Sequence, residues 1–213
     1  RKKEKPMCLI IHKPRGLPIS ADLLEAAASL NPDGWGLMGF SPSGDLLLER
    51  HARTSLEDIL ATERKHQDAE YVLHLRRRTR GAVNLDNAHP LKVINGVYLM
   101  HNGTLRIDTH EPGKSDTWHF VNEVLRPLAQ RRDGVLLDNA FHRMLEVCLR
   151  PENKLALLSQ RARRIVLINQ AHGAELDGLW LSSTRWIDRR LLPLTAAPQS
   201  QERSFAADKL QYI

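Results

Sequence analysis

One stretch of sequence decides how the middle of the chain folds: Leu91-Lys92-Val93-Ile94-Asn95-Gly96-Val97-Tyr98-Leu99-Met100-His101-Asn102. Two apolar runs flank Asn95-Gly96, a dipeptide that favours a tight hairpin because a type I′ turn needs positive φ at both central positions. A two-residue turn pairs Ile94 with Val97. Counting outward from that pair places His89 opposite Asn102, so strand register is expected to bring two separated polar residues together.

Strands and helices are predicted on both sides of this hairpin. Apolar runs indicate strands at residues 8–12, 35–40, 45–49, 71–76, 156–158, 165–169 and 179–182. Capping residues and helical spacing indicate helices at residues 20–30, 54–65, from 115 onward and 138–149, and Pro127 is expected to kink or end the third. Strands, then helices, then strands again favour layered sheets covered by helices over a doubly wound parallel sheet.

The bulk composition is that of an ordinary globular protein with one core. The 213 residues are 42% hydrophobic and 26% charged, a length that suffices for one ample core but not for two full domains. No apolar run approaches the roughly 18–20 residues of a membrane span. Only four apolar residues follow Met7, too few for a secretory signal, so the chain is expected to be cytoplasmic. In that compartment Cys8 and Cys148 are expected to be thiols, one buried and one with a chemical role.

The charge balance does not by itself indicate a nucleic-acid partner. The formal net charge is +6, but the basic residues fall in separate clusters and aromatic residues make up only 5% of the chain. Few aromatic side chains are therefore present on which nucleic-acid bases could stack. A basic solvated surface is the better interpretation of the charge. Salt-sensitive retention on DNA is the observation that would favour nucleic-acid binding instead.

The position of Cys8 allows unusual chemistry. It lies near the N-terminus, directly after Met7. If the preceding residues were removed, one residue would carry both a thiol and a free α-amine, whose pKa of about 7.7–8.0 leaves part of it as a neutral base near pH 7. Such an amine can activate the nucleophile of its own residue. Taken alone, however, a lone cysteine in an apolar strand is more often a core residue.

Six short motifs in sequence order change that weighing. They are Met7-Cys8-Leu9-Ile10, Asp33-Gly34-Trp35-Gly36, His74-Leu75-Arg76-Arg77-Arg78-Thr79-Arg80-Gly81, Asn87-Ala88-His89-Pro90, His101-Asn102-Gly103 and Ser115-Asp116-Thr117. Each is short and common by itself. In this order and at these spacings, over residues 7–117, they resemble the class II glutamine amidotransferases.

The resemblance implies a fold, an activity and a catalytic set. The implied fold is α+β, the four-layer αββα sandwich of the N-terminal-nucleophile hydrolases. The implied activity is the release of ammonia from glutamine or another γ-glutamyl amide, through attack of Cys8 on the amide carbonyl and a thioester intermediate. Asn102, through a side-chain N–H, and Gly103, through a backbone N–H, are implied to form the oxyanion hole.

The same resemblance implies the substrate-binding residues. Arg76 would hold the α-carboxylate through its guanidinium fork, Asp116 would hold the α-ammonium, and Thr79 would line the pocket. His89 would orient the loop that bears Asn102. The residues alone also allow an exposed charge at Arg76, a helix cap at Asp116, a strand end at His89 and a plain turn after His101. The ten histidines show no His/Cys ligand spacing, so neither a metal nor a cofactor is predicted.

Two departures from the family pattern bear on the substrate and the partners. Arg77, Arg78 and Arg80 add positive charge beside Thr79 and leave the exact substrate open. No synthase domain is recognised, so an ammonia acceptor is expected on a separate enzyme. The close alternative is a stand-alone hydrolase of a γ-glutamyl-linked small molecule, which needs no acceptor.

The residues before Cys8 matter most for the mechanism, since an acylated Cys8 nitrogen is an amide with no basic lone pair. The predicted division is a leader or propeptide at residues 1–7, an amidotransferase domain at 8–195 and a C-terminal tail at 196–213. Cleavage after Met7, a true start at Met7, and a retained leader that gives a latent or non-catalytic binding protein all stay open.

Overall fold

Ten strands form two antiparallel sheets in residues 8–132 and 134–192, the part of the chain that this computed structural model describes. The strands are β1 (Leu9–Lys13), β2 (Trp35–Phe40), β3 (Leu46–His51), β4 (Glu70–Leu75), β5 (Leu91–Ile94), β6 (Val97–Asn102), β7 (Lys154–Ser159), β8 (Arg164–Ile168), β9 (Ala174–Leu176) and β10 (Leu179–Leu181). The six-stranded sheet has the order β3-β2-β4-β1-β10-β9, and the four-stranded sheet has the order β5-β6-β7-β8. The predicted leader (1–7) and the predicted tail (196–213) lie outside the described residues.

Helices cover both sheets. They are α1 (Ala21–Leu30), α2 (Leu56–Lys65), α3 (Asp116–His119), α4 (Arg126–Arg131) and α5 (Asn139–Cys148), and a π-helical turn (Phe120–Leu125) joins α3 to α4. Short 3-10 turns lie at Leu85–Asn87, Val135–Leu137 and Gln170–His172. Side-chain oxygens of Ser20, Ser55, Ser115 and Asp138 accept first-turn N–H groups and so begin four of the helices. In the described ranges, no helix has the length and apolar character that a membrane crossing requires.

Alternating side chains give each sheet one face toward the helices and one face toward the other sheet. On β1, Leu9 and Ile11 join the apolar cluster that includes α1 and α2, whereas Ile10 joins the cluster between the sheets. On β7, Leu157 packs with the helices that follow residue 116; on β6, Met100 faces the other sheet. The layers are therefore helix, sheet, sheet, helix, which confirms the predicted α+β, four-layer αββα sandwich.

The hairpin between β5 and β6 forms where it is predicted, but its register and turn type differ. Ile94 pairs with Val97 as expected, while Lys92 pairs with Tyr98, so β5 takes up one extra residue between these two pairs. Of the two turn residues, only Gly96 has a positive φ, of 72°. The turn is therefore not of type I′, and a bulge absorbs the difference.

The predicted pairing of His89 with Asn102 is wrong, because the bulge shifts the register and a proline precedes the strand. Pro90 has no N–H to donate to the ladder, and β5 begins only after it. Asn102 pairs instead with Lys154 of β7 on the other side of β6. His89 approaches the other sheet, where a Cβ at Gly36 would overlap the His89 carbonyl oxygen.

Pro127 does not end the long helical segment, which continues to Arg131, so that part of the prediction is wrong. It lies at the second position of α4, directly after the π-helical turn. The residue before it, Arg126, still donates its N–H to the Val121 carbonyl, five residues back, so the π-helical hydrogen bonding extends up to the proline.

Two smaller predictions also need correction, and one short strand was not predicted. The cap of α2 is Ser55 rather than Thr54, whose hydroxyl donates instead to the Asn31 carbonyl at 2.5 Å. Cys148 is exposed, because α5 ends there and Leu149 packs against the core in its place. The short strand β9 has too few residues to show a pattern and is not predicted.

We expect Leu157→Ala to lower the free energy of unfolding by about 2–5 kcal/mol, because Leu157 is fully buried under the helices and its truncation leaves a cavity. Leu48→Ala in β3 is the matched control, since Leu48 is 37% exposed, and it should cost less than about 1 kcal/mol. Denaturant titration of both variants measures the difference. Equal losses would contradict the burial of the four-stranded sheet.

Candidate active site

The ends of three strands meet at one pocket. β1 begins beside the end of β4, because Leu9 pairs with Leu75, so Cys8 and Arg76 extend from adjacent strand ends. β6, in the other sheet, packs against β1 and ends just before Gly103. The pocket is lined by Cys8, Arg76, Arg77, Thr79, Arg80, Asn87, His89, His101, Gly103, Ser115, Asp116 and Thr117. This lining contains six of the seven predicted site residues, and the exception is Asn102.

The guanidinium of Arg76 is held at the end of β4. Arg76 is only 4% exposed, and its N–H groups donate long bonds to the carbonyls of Asp33, at 3.5 Å, and Arg80, at 3.3 Å. Its backbone N–H donates to the Gly34 carbonyl at 2.7 Å. Burial lowers the pKa of Arg76 more than nearby anionic groups raise it. In residues 8–132 and 134–192 no carboxylate lies within ion-pair distance of this guanidinium, and the alternative of an exposed charge is wrong.

Asp116 places a buried carboxylate at the first turn of α3. Its Oδ2 accepts the Leu105 N–H at 2.6 Å, and its Oδ1 accepts the Thr117 N–H at 3.0 Å. The helix cap is the preceding residue, Ser115, whose hydroxyl accepts the Trp118 N–H at 3.1 Å. Asp116 is therefore not the cap, and its carboxylate contributes negative charge to the pocket wall.

The Cys8 thiol is within reach of both charges. Its Sγ donates a hydrogen bond to the Arg77 carbonyl at 3.4 Å. Burial raises the pKa of the thiol to about 11 and outweighs the lowering by this hydrogen bond and by the Arg76 charge, while Asp116 raises it further. At neutral pH the sulfur is a neutral thiol, so it needs a base before it can act as a nucleophile.

Gly103 forms a wall of the pocket that other residues cannot easily form. Its φ of 141° lies where side chains other than hydrogen are strained. A Cβ there would also overlap Asn153 Oδ1 and would lie 2.9 Å from Asn153 Cα. Asn153 itself is fixed, because its Oδ1 accepts a hydrogen bond from His101 Nε2 at 3.0 Å. Both the backbone conformation and the close contact with Asn153 therefore require glycine.

Asn102 is fully buried behind the pocket wall. Its Nδ2 donates to Ser182 Oγ at 2.7 Å, and its Oδ1 has no hydrogen-bond partner among the described residues. Ser182 Oγ also accepts the Ile10 N–H at 2.9 Å. In this orientation the Asn102 amide N–H donates to Ser182. The role of Asn102 in an oxyanion hole therefore stays a prediction.

Three buried histidines lie in and behind the pocket. The rings of His89 and His74 are 4.2 Å apart, and His74 Nε2 hydrogen-bonds the His101 carbonyl at 3.2 Å. Burial lowers the pKa of all three, that of His74 to about 3, so none carries a charge at pH 7. Neither ring nitrogen of His89 has a partner in the described ranges. His89 therefore reaches β6 through His74, and its predicted orienting role stays a prediction.

The mouth of the pocket is basic. Thr79 and Arg80 are exposed there, beside the exposed Arg78. The segment is anchored by the Arg78 N–H, which donates to Asp33 Oδ2 at 2.8 Å, and by Arg77, which donates to the Leu30 carbonyl at 2.8 Å. Polar or anionic groups on a substrate would meet positive charge as they enter.

One residue that the sequence patterns leave without a role ties two loops together. Asn87 Nδ2 donates to the carbonyls of Ala82, at 3.0 Å, and Gly113, at 2.8 Å, and its Oδ1 accepts the Ser115 N–H at 2.8 Å. Its position inside a recognised motif was the available signal. Asn153 and Ser182 also organise the site, but they lie beyond residue 117, where no motif marks them.

The fold and the site together define a class: a layered αββα domain with a cysteine at the start of an inner strand and charges of both signs around it. Comparison with protein families identifies the family. Residues 9–158 match the class II glutamine amidotransferases. The match spans well over half of the chain, so the chain belongs to this family.

A solved structure similar to this chain is glutamine phosphoribosylpyrophosphate amidotransferase from B. subtilis, complexed with ADP and GMP. The two share 16% identity with a TM-score of 0.49, and the match covers 83% of this chain and 41% of that chain. The chain therefore spans less than half the length of that enzyme. No curated protein sequence matches the chain.

We expect Cys8 to react slowly with iodoacetamide at pH 7–8 and faster as the pH approaches 11, because the thiolate is the reactive form and burial disfavours it. Below the pKa, each pH unit should raise the rate by about tenfold. Peptide mass spectrometry on a chain that retains residues 1–7, with Cys148→Ala to remove the exposed thiol, measures this rate. Rapid modification at pH 7 would contradict the raised pKa.

Proposed function

We propose that the chain hydrolyses a γ-glutamyl amide, with free glutamine as the simplest substrate, and releases ammonia through a Cys8 thioester. One observation carries this proposal. A buried guanidinium that reaches no carboxylate of the described residues shares a pocket with the Cys8 thiol and with the buried carboxylate of Asp116. These are the complements of an α-carboxylate, an electrophilic carbonyl and an α-ammonium.

Arg76 and Asp116 would bind the α-carboxylate and α-ammonium groups at the amino-acid end of the substrate. An α-carboxylate would give the fork of Arg76 two short, charge-assisted hydrogen bonds in place of its long bonds to carbonyls. Asp116 would hold the α-ammonium, and Thr79, at the mouth, would contact the same end. With this end fixed, the γ-amide carbonyl would extend toward Cys8, which lowers the entropic part of the barrier.

Cys8 would supply both the nucleophile and the base. Its neutral α-amine would take the thiol proton, and the sulfur would attack the amide carbon to form a tetrahedral intermediate. The C–N bond would then break as the Cys8 α-ammonium returns its proton to the leaving amide nitrogen, which departs as ammonia. Water would attack the resulting thioester, releasing the γ-carboxylate and restoring the thiol. A thiol with a pKa of about 11 makes the neighbouring base necessary.

The oxyanion hole would use the Gly103 N–H and the Asn102 amide, and the second requires a half-turn about the Asn102 Cβ–Cγ bond. Ser182, whose Oγ already accepts the Ile10 N–H, would then donate its own proton to Asn102 Oδ1. Nδ2 would take the position in which Oδ1 is now buried without a partner. The rotation would give Asn102 Oδ1 a hydrogen-bond partner and would release the Nδ2 N–H from Ser182. An N–H donor in an oxyanion hole typically stabilises the transition state by ~3–4 kcal/mol.

The mechanism requires a free α-amine on Cys8. We therefore propose that residues 1–7 act as a leader, that the amidotransferase domain begins at Cys8 and extends to about residue 195, and that 196–213 form a tail. Ammonia would pass to a separate acceptor enzyme. A hydrolase of a γ-glutamyl small molecule needs no acceptor, and the basic mouth formed by Arg78 and Arg80 suits a substrate with an added anionic group.

A second candidate function is that of a latent or non-catalytic binding protein with the same fold. The raised pKa of the Cys8 thiol favours it if the leader is retained, because an amide nitrogen at Cys8 cannot act as the base that such a thiol needs. The two candidates differ in the covalent state of one atom, the Cys8 nitrogen.

Intact-mass measurement and N-terminal sequencing of the native protein, followed by a glutaminase assay on the same sample, separate the two candidates. We expect the chain to start at Cys8 and to release ammonia, and Cys8→Ala to abolish release while keeping the fold. Cys148→Ala, at an exposed thiol outside the pocket, is the control that should keep full activity. Full turnover by Cys8→Ala would remove the nucleophile assignment, and an inert chain that retains residues 1–7 would support the second candidate.

Asn102→Ala should lower kcat by ~10²–10³, because it removes a donor to the transition state. Since Asn102 is fully buried and bonded to Ser182, the variant should also lose about 1–3 kcal/mol of unfolding free energy, so its kinetics are measured under conditions where it stays folded. Ser182→Ala should lower kcat by about tenfold with KM unchanged, since it loosens the orientation of that donor without removing it. Steady-state glutaminase kinetics measure both. An unchanged kcat in Asn102→Ala would exclude it from the oxyanion hole, and a change in KM alone in Ser182→Ala would exclude the positioning role.

A further inference from the structure

A second cluster of ionisable side chains lies outside the pocket, where the loop that follows Gly103 returns to the helices. It contains His110 on that loop, His119 at the end of α3 and Glu123 in the π-helical turn. One potential ligand atom from each residue lies within 4.8 Å of the other two. In the described part of the chain, no other group of three His, Cys, Asp or Glu side chains converges in this way.

One of the two nitrogen–oxygen distances is close to the separation that a bound metal ion requires. His119 Nδ1 lies 2.5 Å from Glu123 Oε1, and His110 Nε2 lies 3.5 Å from the same oxygen. A tetrahedral ion with bonds of about 2.0–2.1 Å needs ligand atoms about 3.3 Å apart. The contact with His110 is already near this separation. The contact with His119 reaches it by a small rotation of Glu123, whose side chain is 37% exposed.

His119 is fixed by the surrounding structure, whereas the side chains of Glu123 and His110 can move toward a bound ion. The His119 ring is fully buried and packs edge-on against Trp118, with centroids 5.1 Å apart. Glu123 follows at i+4 on the same helical face, inside a π-helical turn, a feature that occurs frequently at functional sites. His110 is 69% exposed and approaches from the loop. An ion from solvent can therefore bind without displacing the core.

A second carboxylate in the same chain provides a comparison. Glu49 also contacts two histidines, His51 at 3.5 Å and His66 at 3.9 Å, but through opposite oxygens. The His51 ring is stacked on Trp35 at 4.3 Å, which fixes its direction. The ring nitrogens of His51 and His66 therefore do not converge on one oxygen of Glu49, whereas those of His110 and His119 both approach Glu123 Oε1.

We propose that His110, His119 and Glu123 bind one divalent transition-metal ion of the Zn²⁺ class, with water as the fourth ligand. Two imidazoles and one carboxylate suit Zn²⁺, Co²⁺ or Ni²⁺, whereas Mg²⁺ and Ca²⁺ prefer all-oxygen sites. This departs from the sequence-based expectation of no metal, because His110 lies in an irregular loop where no ligand spacing can be recognised.

The ion would connect the loop to the helices that follow it. The loop joins Gly103 to Asp116, and within it the Leu105 N–H already donates to Asp116 Oδ2. A bond from the ion to His110 would add a second attachment at the far end of the same loop. Metal binding would therefore restrain the segment between two walls of the pocket, and it does not depend on the proposed reaction.

The test measures metal binding directly. The full chain, without a polyhistidine tag and with Cys8→Ala and Cys148→Ala to remove competing thiols, is titrated with Zn²⁺ by calorimetry and with Co²⁺ by absorption spectroscopy. We expect one ion per chain, a Co²⁺ spectrum of tetrahedral type, and slower amide hydrogen exchange in residues 104–114 when Zn²⁺ is present. The absence of stoichiometric binding in this parent chain overturns the proposal, whether or not the chain is a glutaminase.

Single substitutions assign the ligands. His110→Ala and Glu123→Gln change partly or largely exposed side chains, so the fold should persist, and each should weaken Zn²⁺ binding by at least about tenfold. His51→Ala, at the Glu49 cluster, is the matched control and should leave affinity and stoichiometry unchanged. Unchanged binding in His110→Ala and Glu123→Gln, or loss of binding in His51→Ala, overturns the assignment.

Discussion

The guanidinium of Arg76, buried at the end of a central strand, constrains much of what surrounds it. A buried charge without a paired anion is costly, and here two backbone carbonyls, those of Asp33 and Arg80, give it only long hydrogen bonds. The turn at Asp33 and Gly34 is in turn tied to the backbone of Arg76. Under the proposed function the substrate carboxylate is the anion that pairs with this guanidinium, and its binding would compensate the buried charge.

The pocket owes its rigidity to strand ends and to a few buried polar side chains. Cys8 and Arg76 take their positions from the pairing of β1 with β4, and Gly103 takes its position from the end of β6. Asn87 and Asp116 then attach the flanking loops through their side chains to backbone groups. Groups held in this way need little rearrangement on binding, which is the physical basis of preorganisation.

The chemical state of Cys8 couples reactivity to the covalent state of the chain. Burial keeps the thiol neutral at physiological pH, so the sulfur is protected from adventitious reaction until a base is available. Under the proposed mechanism that base is the α-amine of the same residue. The proposed metal site acts on a different property, the freedom of the loop that ends at Asp116, and so it would modulate the pocket without entering the chemistry.

Sequence patterns by themselves determined the strand and helix order, the layered fold and most of the lining of the pocket. Capping residues such as Ser20 and Ser115, and the apolar alternation of β1, depend on neighbours in the chain, and local motifs report them reliably. The residues Cys8, Arg76 and Asp116 were identifiable because they lie inside motifs whose order could be recognised.

Tertiary structure alone decided the register and the orientations. The bulge in β5, together with Pro90 before the strand, made the expected pairing of His89 with Asn102 wrong. The direction of the Asn102 amide depends on Ser182, 80 residues away, and the meeting of His110 with Glu123 depends on the path of a loop. Such contacts join residues with no shared local pattern, so they follow only from how the two sheets and their helices pack.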